Sequence, residues 1–66
     1  MKIIVNDKNF YLEKSISILD FFKYENFSLI GIAISINGNI LPKKKWKKYF
    51  LKNNDRIEIF KIIVGG

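Results

Sequence analysis

At 66 residues, with 12 Lys and Arg against 6 Asp and Glu for a net charge of +6, the chain is sized for one small domain. Its 48% apolar and 15% aromatic content is that of a packed core and not of a disordered segment. It has no Cys and no His, which excludes a disulfide framework, a thiolate metal site, a thiol nucleophile and an imidazole base, so a self-contained enzyme is not expected.

The opening MKIIVNDKNF lacks the long apolar stretch of a signal peptide, and later apolar runs are short and broken by Lys, Asn and Asp. A soluble protein acting where it is made is the expectation. KIIVND begins with β-branched residues and ends in a turn pair, and KNFYLEK then alternates Phe10 and Leu12 with polar neighbours. This predicts a hairpin turning near Asn6, Asp7 and Lys8. Ser17, with Asp20 three positions on, makes a capping-box pattern for a helix from about Ile18 to Glu25. Ile18, Phe21 and Phe22 give that helix one narrow apolar face, which must lie on a sheet.

In SLIGIAISINGNIL, Ile30, Ile32, Ile34 and Ile36 alternate with the small Gly31, Ala33 and Ser35, the pattern of a strand burying one face. The Asn37-Gly38-Asn39 turn reverses it into a short ILP strand, because Asn and Gly tolerate positive φ. After Asn53, Asn54 and Asp55, RIEIFKIIV is the longest strand candidate. Its two faces are Ile57, Ile59, Lys61 and Ile63 on one side and Arg56, Glu58, Phe60, Ile62 and Val64 on the other. The order predicts an α+β domain with one helix across a small mixed sheet, the last strand central because it is apolar on both faces. If the helix covers Ile59 and Ile63, then Phe60 and Ile62 are left as exposed apolar area for a partner, unless Trp46 or the hairpin covers Phe60.

PKKKWKKYFLK holds six of the eleven lysines between Lys43 and Lys52. Clustered Lys with an aromatic suits a nucleic-acid patch. The alternative starts from Pro42 as a first helical position, with Trp46, Tyr49 and Phe50 at i, i+3 and i+4 sharing one inward face beneath a solvated basic one. Such a face would steer the chain toward an acidic protein partner.

The sequence ends KIIVGG, an apolar strand running into two glycines. A frayed terminus needs no function, but glycines following a central strand emerge from the middle of the sheet's edge. With IVND at the start, SINGNILP in the middle, Trp46 four residues past Pro42, NNDRIEIF before the last strand and the terminal Gly65-Gly66, the whole chain resembles the ThiS family of sulfur carriers of thiamine biosynthesis. The resemblance implies a β-grasp, ubiquitin-like fold over residues 1–66, with 65–66 as a flexible diglycine tail. The lysine density departs from the family, whose members are often neutral or acidic.

The resemblance further implies that the Gly66 carboxylate attacks the α-phosphate of ATP inside an E1-like adenylyltransferase, which supplies ATP and Mg²⁺, the carrier binding no cofactor itself. A persulfide from a sulfurtransferase or cysteine desulfurase system then displaces AMP and leaves a thiocarboxylate, and thiazole synthase accepts the sulfur. Gly65 and Gly66, without Cβ atoms, can thread a narrow channel. Phe60, Ile62 and Val64 are the expected docking residues. No membrane and no nucleic-acid partner is expected, and abundant Ile, Lys, Asn and Phe suggest an A+T-rich genome, hence a bacterial cytoplasm or a plastid stroma. Two alternatives remain open: the small subunit of molybdopterin synthase, which uses the same tail, and a basic nucleic-acid or protein binding module.

Overall fold

The computed structural model describes residues 1–62; Ile63, Val64, Gly65 and Gly66 lie outside the described residues. Strands β1 (Lys2–Val5) and β2 (Lys8–Tyr11) form the expected antiparallel hairpin. Asn6 and Asp7 close it with φ of 46° and 69°, a two-residue turn of the kind that Asn and Asp tolerate. Helix α1 (Ile18–Tyr24) is capped as its sequence requires, the Ser17 hydroxyl accepting from the Asp20 amide at 3.1 Å. Strand β3 (Ile32–Ile36) turns through Asn37 and Gly38, both at positive φ, into β4 (Asn39–Leu41). A single 3₁₀ turn at Lys43–Lys45 follows, and β5 (Arg56–Lys61) ends the regular structure.

The sheet order is β2-β1-β5-β3-β4, with β5 central, parallel to β1 and antiparallel to β3. This is the mixed sheet with one helix expected of a β-grasp domain, in the α+β class. Ile3 and Val5, Ile34 and Ile36, and Ile57 send buried side chains from three strands to meet Ile18, Phe21 and Phe22 of α1. Edge-to-face rings tighten the helix end of this core: Phe10 on Phe21 at 5.3 Å and Phe22 on Phe27 at 5.4 Å. Each fully buried Ile or Phe contributes about 1.5–3 kcal/mol, so these few side chains dominate the stability of so small a domain.

Four local expectations are corrected. Ile30 is not the first inward residue of β3; it is 89% exposed, because Gly31 at φ +68° breaks the extended run just before the strand starts. Phe50 does not share the inward face of Trp46. The 3₁₀ helix ends at Lys45 and is followed by turns through Lys48, the Lys48 and Tyr49 amides both donating to the Lys45 carbonyl; only then does the chain reach an isolated bridge between Phe50 and Ser17, and Leu51 is the residue that enters the core. Pro42 caps the 3₁₀ turn in an extended conformation, ψ 143°, and is not its first helical residue. Strand β5 stops at Lys61, so Ile62 follows the strand and is not part of it.

Candidate functional site

The helix covers one sheet face, and the opposite face is open. On that face Phe60 pairs with Ala33, and Ser35 lies between Glu58 and Ile40. Ala33 and Ser35 are the small partners of the β3 alternation, so they form a low floor between Phe60, 46% exposed, and the exposed Ile40. Neither Trp46, which is buried in the core on the other side, nor the hairpin covers Phe60. The Ile62 amide donates to the Gly31 carbonyl at 2.7 Å, extending the β3–β5 ladder one step beyond the strand. Ile62 is thereby held beside Ile30, and both are exposed. Ile30 and Ile62 also line, with Phe27, Ile32 and Ile59 from the helix-covered side, a concavity of about 630 Å³ at this end of β5 that Phe60 does not line.

Of the residues that the sequence nominates, Phe60 lies exposed on the open face and Ile62 lies exposed just past the end of β5, while Val64, Gly65 and Gly66 lie outside the described residues. Ile30 and Ile40 join the surface without having been nominated. For Ile40 a signal existed: a two-residue turn pairs Asn39 with the inward Ile36, which places Ile40 on the open face. For Ile30 the signal was Gly31, which permits the positive φ that turns its neighbour outward.

The basic segment is mounted on the other side of β3. Trp46 is buried, and its indole Nε1 donates to the Leu41 carbonyl at 2.9 Å. The Ile18 and Leu19 amides at the start of α1 donate to the Tyr49 and Trp46 carbonyls, and the Leu51 amide donates to the Ile16 carbonyl. A buried carboxylate, Asp55, closes the structure from below. It accepts from the Asn37 side-chain amide (3.1 Å), the Tyr49 hydroxyl (2.9 Å) and the Lys52 backbone amide (2.8 Å). Asn37 in turn accepts from the Arg56 amide at 2.9 Å. The Asn37 turn is thereby joined to the Tyr49–Asp55 segment, 18 residues on, through one polar hub that residue patterns along the chain did not indicate.

Burial, the hydrogen bond to Asp55 and the Asp55 charge push the Tyr49 phenol up to about 12. An unfolded tyrosine ionises near about 10, so between these values the unfolded state has already lost the proton that the folded state keeps. The stability from this group is present below about pH 10 and is lost as pH rises through about 12. Tyr49→Phe is expected to cost about 1 kcal/mol at neutral pH and to flatten the fall in urea midpoint over that alkaline window. An equally steep fall in the variant would show that Tyr49 is not its source.

A model of the ThiS family matches residues 3–66. The chain belongs to the ThiS family. It is 34% identical over 62 residues to the ycf40 protein of Trieres chinensis, spanning 94% of this chain and 85% of that one. It is 26% identical to the sulfur carrier protein ThiS of Escherichia coli (strain K12), over the full length of both. The crystal structure of a thiamine biosynthesis protein (ThiS) from Geobacter metallireducens superposes with a TM-score of 0.87, at 19% identity and full coverage of both chains. That likeness shows the fold, a ubiquitin-like β-grasp domain.

Proposed function

We propose that the chain is a sulfur carrier of thiamine biosynthesis, a protein-bound substrate and not an enzyme, with the Gly66 carboxylate as the group that is modified. The observation that carries this reading is the family match running to residue 66, the position of that carboxylate. In the first step a carboxylate oxygen attacks the α-phosphate of ATP and pyrophosphate leaves, forming an acyl adenylate. A carboxylate is a poor electrophile until its oxygen becomes a good leaving group, so an activating adenylyltransferase supplies ATP and Mg²⁺. A persulfide from a sulfurtransferase or cysteine desulfurase then displaces AMP; a second thiol cleaves the acyl disulfide and releases the thiocarboxylate. Thiazole synthase is the acceptor of the sulfur. Gly65 contributes the absence of a Cβ where the tail enters the activating enzyme. The site of action is a bacterial cytoplasm or a plastid stroma; among the described residues no helix is long and apolar enough to cross a membrane.

The test is direct. The intact chain, with an activating enzyme of this type, Mg²⁺ and ATP, should exchange labelled pyrophosphate into ATP. With a sulfurtransferase and a sulfur source it should gain the mass difference between sulfur and oxygen. If neither occurs with the activating enzymes of bacteria or plastids, the reading fails.

Docking is assigned to the open face, with Phe60 and Ile62 and, in continuation, Val64. Phe60→Asp places a charge where an apolar partner surface must close. It is expected to raise the concentration of carrier needed for half-maximal exchange by about thirtyfold, the equivalent of one interface hot spot. The fold should survive, since Phe60 is already 46% exposed. Loss of the native circular dichroism would place Phe60 in the core, and an unchanged requirement for carrier would remove the open face from the interface.

A further inference from the structure

The open face and the tail leave the lysine segment without a role. Lys43 and Lys52 lie over aromatic rings, at 5.9 Å from the Trp46 centroid and 5.7 Å from that of Tyr49. Lys44, Lys45 and Lys48 instead converge on a concavity of about 410 Å³ walled by Leu41 and Tyr49. No Asp or Glu occurs between Pro42 and Asn54. The nearest carboxylate in sequence, Asp55, is buried and already accepts three hydrogen bonds. The segment's backbone is pinned to α1 and to the loop before it, so its cations are held on a fixed platform. Three ammonium groups around a partly apolar hollow need an anionic ligand that also carries apolar surface.

We propose that this hollow is a second docking site, for an acidic segment of a protein partner in which carboxylates flank an apolar side chain. The apolar side chain seats against Leu41 and the Tyr49 ring, and the carboxylates meet Lys44, Lys45 and Lys48. Nucleic acid fits less well. The segment has no Arg to grip phosphate with a planar fork, Trp46 is buried and offers no face for base stacking, and the exposed Phe50 is not part of the hollow's lining. The net charge of +6 adds long-range attraction to an acidic partner, damped over a Debye length of about 8 Å at physiological salt.

The site is tested on the intact chain, without any adenylation assay, so that its failure and that of the carrier reading are separate results. The probes are a synthetic peptide alternating Glu and Leu, the same peptide with Gln for Glu, and a single-stranded DNA oligonucleotide of equal charge. In nuclear magnetic resonance titrations the acidic peptide should shift the amides of Lys44, Lys45 and Lys48 and the Trp46 indole, with affinity falling as salt rises. The combined K44Q, K45Q and K48Q variant should bind about tenfold more weakly, the size expected of three exposed charge pairs acting together. A control with K8Q, K14Q and K23Q removes equal charge elsewhere and should change affinity by less than about threefold if the effect is local. Equal losses in the two variants, equal binding of the Gln peptide, or tighter binding of the oligonucleotide would each overturn the proposal.

Discussion

Deletion of Gly66 is expected to abolish both pyrophosphate exchange and the gain of sulfur mass, while leaving the domain folded. The truncated chain still ends in a carboxylate, now on Gly65, but that group stands one residue, about 3.5 Å, short of the nucleotide. In-line attack on phosphorus requires the oxygen in near contact, and a displacement of this size removes the reactive geometry entirely. Folding should be untouched, because among the described residues the last strand ends at Lys61 and the core is drawn from residues up to Ile59. Gly65→Val tests the same channel differently. A β-branched side chain restricts the backbone and adds width, so exchange should fall steeply without a change in urea midpoint. If the chain lacking Gly66 exchanges pyrophosphate at the full rate, the acyl group lies elsewhere and the carrier assignment of this terminus is wrong.

The features legible in the sequence were those set by local chemistry. The positive φ at Asn6, Asp7, Asn37 and Gly38 followed from residues that tolerate it, and the N-cap of α1 followed from Ser17, whose hydroxyl accepts from the Asp20 amide. β5 is central as its length and apolar content predicted, but not through burial of both faces: its outer residues Arg56, Glu58 and Phe60 are exposed on the open face. Periodicity failed where an element was shorter than its pattern. The spacing of Trp46, Tyr49 and Phe50 presumes a continuous α-helix, but the turns stop at Lys48 and the backbone at Phe50 pairs with Ser17 ahead of α1, so Leu51 takes the inward position. The Asp55 hub was invisible for a different reason: its partners, Asn37 and Tyr49, are turn and loop residues whose proximity depends on the sheet being assembled. Among rival functions, the family match over residues 3–66 speaks for a sulfur carrier and against a bare binding module.

Trp46→Ala is expected to be among the most damaging single substitutions in the domain. Trp46 is 3% exposed, joins the core formed by α1 and the sheet, and ties the segment after β4 to Leu41 through its indole nitrogen. Truncating a buried Trp costs about 3–5 kcal/mol through lost burial and the cavity left behind. At about 0.05–0.15 kcal/mol per residue, a domain of 66 residues has only about 3–10 kcal/mol in total. The variant should therefore unfold at low urea or be partly unfolded in buffer. Trp46→Phe keeps most of the apolar volume and loses the bond to the Leu41 carbonyl, so it should cost about 1–2 kcal/mol. The pair also separates stability from docking. Trp46→Phe retains the fold but loosens the mount beneath Lys44 and Lys45, so it should weaken binding of an acidic peptide more than it affects pyrophosphate exchange. A near-native urea midpoint for Trp46→Ala would mean that the basic platform is not anchored through this ring, and the fixed geometry assigned to its lysines would fall with it.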